Sequence, residues 1–315
     1  MNKRTAIAAV LLTFVGMGNA FGGNLKTRSI PLLGKNVFTE GVAYSEKRRT
    51  FYIGSAVGGG IQTVDEAGKS SWLQKDGTDA RHKTLGMSVD EKRDRLWVVG
   101  NGAVYVYSLT TNKLLKKNPV ADLGDFPSTF LNDVVLDHAG SAYITDSFSP
   151  NIFKVDGQSL KMTLFAKGEN LPYGTVGGSP WNFNGIEITK DGKNLIIAKT
   201  NDGSLWTLNI KSKVFKKLKL SKNASLTDGL VWGSQGKLYL IRNFVNTISV
   251  VNFDEFKTGD ETLRVEDLSI DQKAFSIPTN AVFLDGPSPR LVVVNSQFEQ
   301  ENPKEFFMTE VKLKN

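Results

Sequence analysis

The sequence predicts an all-β protein, a six-bladed β-propeller with four-stranded blades, and three observations carry that expectation. An apolar strand, a polar turn and a second apolar strand recur six times along the 315 residues. The copies begin at positions 40, 85, 132, 184, 228 and 280, spaced by 45, 47, 52, 44 and 52 residues, which is the period of one propeller blade. Helical periodicity is almost absent, and near-continuous apolar runs such as Asn194-Leu-Ile-Ile-Ala198 suit strands covered on both faces.

Ahead of the repeats, Lys3 and Arg4 precede the apolar run Ala6 to Val15 and a small-residue stretch ending at Ala20. That order reads as a secretory signal peptide over residues 1–20, leaving residues 21–315 as a single propeller domain. The apolar run is too short for a permanent anchor, and no later stretch reaches the roughly 18 apolar residues of a spanning helix. The expectation is an exported protein, periplasmic or secreted, without a membrane span and monomeric.

The repeats can be followed in order. Glu40-Gly-Val-Ala-Tyr44 leads to Thr50–Ser55, Leu85-Gly-Met-Ser-Val89 to Arg95–Asn101, and Asn132-Asp-Val-Val-Leu136 to Ser141–Ser147. Asn184-Gly-Ile-Glu-Ile188 leads to Asn194–Thr200, Asp228-Gly-Leu-Val-Trp232 to Lys237–Asn243, and Asn280-Ala-Val-Phe-Leu284 to Arg290–Ser296. Turn signals such as Gly140, Asp191-Gly192, Gln235-Gly236 and Asp285-Gly286 separate the paired strands, as hairpins require. Third strands follow, for example Ala103–Tyr107 and Thr247–Val251, and the fourth are weaker and more polar. The lysine-rich stretch 211–222 reads as an outer edge kept soluble and unpaired by charge.

Composition removes several function classes. There is no cysteine, hence no disulfide, thiol nucleophile or thiolate metal site. Without residues 1–20 the chain keeps 37 basic against 32 acidic residues, a modest excess that does not point to nucleic acid. Gly58-Gly59-Gly60 is followed by a strand, so it lacks the helix that a phosphate-cradling loop needs.

In a propeller the inner strands run along the channel in one direction, so their first residues gather at one mouth. Glu40, Asn132, Asn184 and Asp228 start four of these strands, where a polar side chain is costly unless something satisfies it. A constant interval of 15 residues from Glu40 to Ser55, Asn132 to Ser147 and Asn184 to Lys199 adds a second ring, with Asp146, Lys199, Arg242, Asn243 and Asn295 expected at the same mouth. Two carboxylates and two amides suit a hard cation such as Ca2+, with other divalent cations possible and zinc disfavoured, since only His82 and His138 are available. A polar, water-lined channel without function is the alternative. His138 falls in a hairpin turn, whereas His82 could overhang the mouth. The loops Gln74 to Thr84 and Gly168 to Phe183, with Pro172, Tyr173, Trp181 and Phe183, are expected to lead into the mouth and to favour a small apolar or ring-shaped ligand.

The pairs Glu40-Gly41, Asn132-Asp133, Asn184-Gly185 and Asp228-Gly229, in that order and one per blade, resemble the SMP-30/gluconolactonase/LRE-like family of six-bladed propellers, which is related to the paraoxonase and diisopropyl-fluorophosphatase propellers. The resemblance runs from about Val37 to the end of the chain. It implies Glu40, Asn184 and Asp228 as ligands of a catalytic calcium, with Asn132 as a further ligand or substrate contact. No histidine pair is placed for a paraoxonase-type base, and Tyr143–Ser147 and Leu240–Asn243 depart from the best-known lactonases. On this basis the expected activity is metal-dependent hydrolysis of a lactone or related ester. Asp228 would be the base or orient water, Lys199 and Arg242 would meet the oxyanion or an anionic group, and Asp146, Asn243 and His82 would contact substrate. The alternative is a non-enzymatic binding propeller in which calcium only staples the blades.

Overall fold

The computed structural model describes residues 24–314 apart from 101, 125, 127, 128, 170, 175–179, 254–260, 302 and 304. The signal expected at residues 1–20 lies outside the described residues. Six four-stranded antiparallel sheets are arranged as a propeller, with one short parallel pair, Lys219–Leu220 with Thr262–Leu263, between the fourth and fifth blades. The inner strands are Thr39–Ser45, Thr84–Asp90, Leu131–Leu136, Phe183–Ile188, Thr227–Trp232 and Pro278–Leu284. Each touches the next, and the sixth touches the first.

Six apolar clusters fill the six spaces between neighbouring blades. The period-2 alternation of a strand explains the unbroken apolar runs. In Asn194–Lys199, Leu195 and Ile197 face the third blade, while Ile196 and Ala198 face the fifth. Leu96 and Val98 likewise join the cluster with the first blade, and Trp97 and Val99 join the cluster with the third.

Every inner strand carries a β-bulge near its start, between Thr39 and Val42, Thr84 and Met87, Leu131 and Val134, Phe183 and Ile186, Thr227 and Leu230, and Pro278 and Ala281. The second bulge residue is Gly41, Gly86, Gly185 or Gly229 in four blades, and close approach demands it. A Cβ on Gly41 would lie 1.9 Å from the Leu85 carbonyl oxygen, and one on Gly185 would lie 2.2 Å from that of Asp228. The third and sixth blades, which oppose each other across the ring, put Asp133 and Asn280 in this slot instead. Their side chains meet, with Asn280 Nδ2 donating to the two Asp133 oxygens at 3.4 and 3.5 Å.

This register corrects the sixth repeat. The residue equivalent to Glu40 and Asp228 is Thr279, and Asn280 belongs one place further on. Thr279 Oγ1 donates to the Glu40 carbonyl at 2.9 Å, joining the last blade to the first. The sixth blade is completed by the start of the chain. Thr27–Leu32 forms its outermost strand, antiparallel to Phe306–Lys312, with Ile30 opposite Met308.

Candidate functional site

The bulges bring Glu40, Asn132, Asn184 and Asp228 to one level of the channel mouth, from the first, third, fourth and fifth blades; Leu85 and Thr279 fill the two remaining places. All four polar members are buried. Asn132 Nδ2 donates to Ser147 Oγ at 3.0 Å, and Ser147 Oγ donates to the Phe183 carbonyl of the next blade at 2.6 Å. Asn243 Nδ2 donates to Asp228 Oδ2 at 3.0 Å, and the Asn184 amide also hydrogen-bonds the Asp228 carboxylate. Glu40 stands apart: its Oε2 is buried and has no hydrogen-bond partner.

Electrostatics make the pit acidic and under-compensated. Burial, then the charges of Asp228 and Asp133, push the Glu40 carboxyl well above the ordinary carboxylate range, and Lys83 pulls it partly back. Asp228 is pushed up to about 7 by burial, with the charge of Asp133 adding to it and the bonds from Asn243 and Asn184 opposing it. Burial likewise takes Asp133 to about 7, although the Val134 and Ile186 amides and Asn280 favour its charged form. Deeper along the fourth inner strand, Glu187 rises to about 8, again chiefly through burial. Asp133, Glu187 and Lys83 were not singled out from the sequence as members of this site. Asp133 breaks the glycine pattern of the bulge, and Lys83 sits two residues before Leu85, where the polar ring is interrupted. Both departures are visible in the repeat alignment once the bulge is known.

The structure does not bring Lys199, Arg242 or Asp146 to this pit. Each pairs with the residue just before the bulge, as Lys199 with Phe183, Arg242 with Thr227 and Asp146 with Leu131. That is one place out of step with the ring, and each is satisfied elsewhere. Lys199 Nζ donates to Asn201 Oδ1 at 2.7 Å and Asp202 Oδ2 at 2.8 Å. Arg242 donates to the Ser225 carbonyl at 3.0 Å, to Ser249 at 3.4 Å and to Asp267 at 3.5 Å. Asp146 accepts from the Phe130 and Phe148 amides at 2.8 and 2.9 Å. Asn295 accepts from the Ser276 amide at 3.1 Å and donates to Thr309, inside its own blade. His82 is exposed to solvent, and its neighbour Lys83 is the residue whose charge reaches Glu40. The residues that do reach toward the ring or the next blade are one further on: Ser147, Thr200 and Asn243.

Backbone strain gathers at this mouth. Phe38, Leu226 and Ile277, each two residues before the bulge of its blade, have left-handed φ of 41°, 63° and 53°, unfavourable for any side chain and most for a β-branched one. Tyr173 anchors the preceding loop through its hydroxyl to the Asp146 carbonyl at 2.5 Å, and Phe183 is core rather than wall.

The residues present fit a hard cation. An unpartnered buried carboxylate oxygen, a second carboxylate that repels it and the amide groups of Asn184 and Asn132 form an oxygen-rich set. Among the described residues no group of three or more His, Cys, Asp and Glu side chains is arranged to hold a metal, so any ion here would rely on the amides as well as the acids.

Fold and site define the class: a six-bladed propeller with an acidic, amide-flanked pit at one mouth of its channel. The chain belongs to the SMP-30/gluconolactonase/LRE-like family, whose pattern it matches over residues 38–275. No curated protein sequence matches it. Similar solved structures include the calcium-binding protein regucalcin from Agrobacterium tumefaciens (TM-score 0.67, 14% identity, covering 93% of this chain and 96% of that one). The allergen Mala s 1 of Malassezia sympodialis gives TM-score 0.67 and 14% identity over 90% and 95% of the two chains. Virginiamycin B lyase from Staphylococcus aureus gives TM-score 0.62 and 14% identity over 92% and 100%. At these identities the likeness is one of fold.

Proposed function

We propose that this protein is an exported, monomeric, calcium-dependent hydrolase that opens a lactone or related ester at the acidic mouth of its channel. The observation that carries the reading is the buried, unpartnered Oε2 of Glu40 beside Asp228, an arrangement that is costly unless a cation completes it. Family membership and the fold shared with a calcium-binding protein support the same ion. Export rests on the order of charged, apolar and small residues before Ala20, and among the described residues no helix is long and apolar enough to cross a membrane.

Glu40, Asn184 and Asp228 would hold the ion, with Asn132 beside them. When bound, calcium supplies Lewis-acid polarisation of a carbonyl and a lower pKa for a coordinated water. Asp228 carries the base role: its carboxylate is oriented by Asn243 on one side and Asn184 on the other. With Lys199 and Arg242 engaged in their own blades, Lys83 is the cation whose field reaches the pit, and it is the group suited to developing negative charge.

The test is turnover of a panel of lactones and esters by the purified protein with and without a chelator. Chelator-sensitive hydrolysis, lowered at least about a hundredfold in Asp228→Ala, is the expected result. Calcium binding without turnover of any lactone or ester would instead leave a binding propeller.

A further inference from the structure

The strand ends that carry the acidic pit also carry aromatic rings. Phe130, Phe148 and Trp181 form a mutually packed triad, with ring centroids 5.3, 5.0 and 5.0 Å apart. Phe148 is 39% exposed, and Phe244, on the fifth blade, is 50% exposed. Phe38 and Phe298 stack at 5.8 Å over the seam between the sixth blade and the first. Apolar area of this kind, gathered around a polar pit, marks a ligand surface.

The triad is tied to the pit through the backbone. The Phe130 and Phe148 amides both donate to Asp146 Oδ1, at 2.8 and 2.9 Å, so one buried carboxylate clamps both residues in place. Between them, the Ser147 amide donates to the Phe130 carbonyl at 2.9 Å while Ser147 Oγ receives Asn132. Phe244 follows Asn243 and donates its amide to Asn243 Oδ1 at 2.7 Å, so this ring is joined to the side chain that orients Asp228.

Outside the pit itself, several polar side chains at this level are committed to the protein. Asn132 and Ser147 bond in series to the Phe183 carbonyl, Thr200 Oγ1 donates to the Thr227 carbonyl at 2.6 Å, and Asn201 and Asn182 bond to each other and to the loop before them. A polyhydroxylated ligand would meet rings where it needs hydrogen-bond partners, and its hydroxyls would lose water without replacement.

We propose that the site takes lactones or esters carrying an aromatic or bulky apolar substituent, which packs on Phe130, Phe148 and Trp181 while the carbonyl reaches the Glu40–Asp228 pit. This rests on the hydrolase reading above and names its substrate class. Asp146 is then a positioning residue that fixes the aromatic wall.

The experiment compares γ-phenyl-γ-butyrolactone with its parent γ-butyrolactone and with glucono-1,5-lactone, for the wild type, Phe148→Ala and Trp181→Ala. Far-UV circular dichroism verifies that each variant is folded. The expected result is a kcat/KM for the phenyl lactone at least about tenfold above the parent, a ratio that either substitution lowers by about tenfold through KM. Equal or better turnover of glucono-1,5-lactone, or a ratio that neither substitution moves, overturns the proposal. A second readout needs no turnover: quenching of tryptophan fluorescence by the phenyl lactone, which Trp181→Phe should abolish. If no lactone is hydrolysed, the hydrolase reading fails. Trp181-dependent quenching then still supports an aromatic ligand at this wall, and its absence overturns that inference too.

Discussion

At the scale of single residues, the bulge glycines and the residues that replace them decide the site. Gly185 holds the place where the fourth inner strand meets the Asp228 carbonyl, and the backbone of Asp228, Gly229 and Leu230 lies within 2.9 Å of where a Cβ would sit. Gly185→Ala must push the two strands apart, and we expect a loss of about 3 kcal/mol in chemical denaturation, with Asp228 displaced and activity lost along with stability. The ring members Glu40, Asn132, Asn184 and Asp228 were legible in the sequence because four blades put an oxygen-bearing side chain in one repeat position. Of the second ring, Asn243 was legible, 15 residues after Asp228 and bonded to it, whereas Asp146 and Arg242 each fall one place short of the residue that reaches the ring. Lys199 looked equivalent to Ser147 and Asn243 by interval alone. In fact Ser147 and Asn243 hold that place in the third and fifth blades, while the longer hairpin of the fourth blade gives it to Thr200.

At the scale of elements, the four strands of the first five blades followed from the repeat, but the outermost strand of the sixth did not. Thr27–Leu32 lies before the first copy and pairs with a strand almost the whole chain away, so no local pattern announces its partner. Its Ile30 and Leu32 enter the same apolar cluster as Val42, Ile53, Val294 and Phe306, which sits between the first and last blades. A variant lacking residues 24–32 should therefore lose the burial of two core side chains, each worth roughly 2–5 kcal/mol, and expose the edge of Phe306–Lys312. Size-exclusion chromatography should show it aggregated or absent from the soluble fraction, whereas a variant lacking only residues 1–23 should elute as the intact propeller.

At the scale of the molecule, the channel concentrates buried acid, and stability should depend on pH accordingly. Glu187 titrates near 8 in the fold and near the usual value for glutamate in the unfolded chain, about 4.3. Between these values the native state holds a proton that the unfolded state has released, so stability from this group is greatest below the unfolded pKa and falls as pH rises toward 8. Asp133 adds to the same trend up to about 7. Surface carboxylates such as Asp94 and Asp191, held down by hydrogen bonds, work in the other direction at lower pH, so the difference between variants is the useful quantity. Glu187→Gln should match the wild type near pH 4 and exceed it by about 5 kcal/mol at pH 8 when melting is followed in chelator. A gap that does not widen with pH would remove Glu187 as a source of the dependence.

The seam between Thr27–Leu32 and Phe306–Lys312 also sets a timetable. Of the described strands, Thr27–Leu32 leaves the ribosome before the others and must wait for Phe306–Lys312, so the ring stays open until both are made, however well the middle blades have formed. A chain broken off before Phe306 keeps Ile30 and Leu32 uncovered, and a finished one hides them. Closure of the ring is thus reported at one sheet edge, the kind of exposed feature on which chaperones and proteases act.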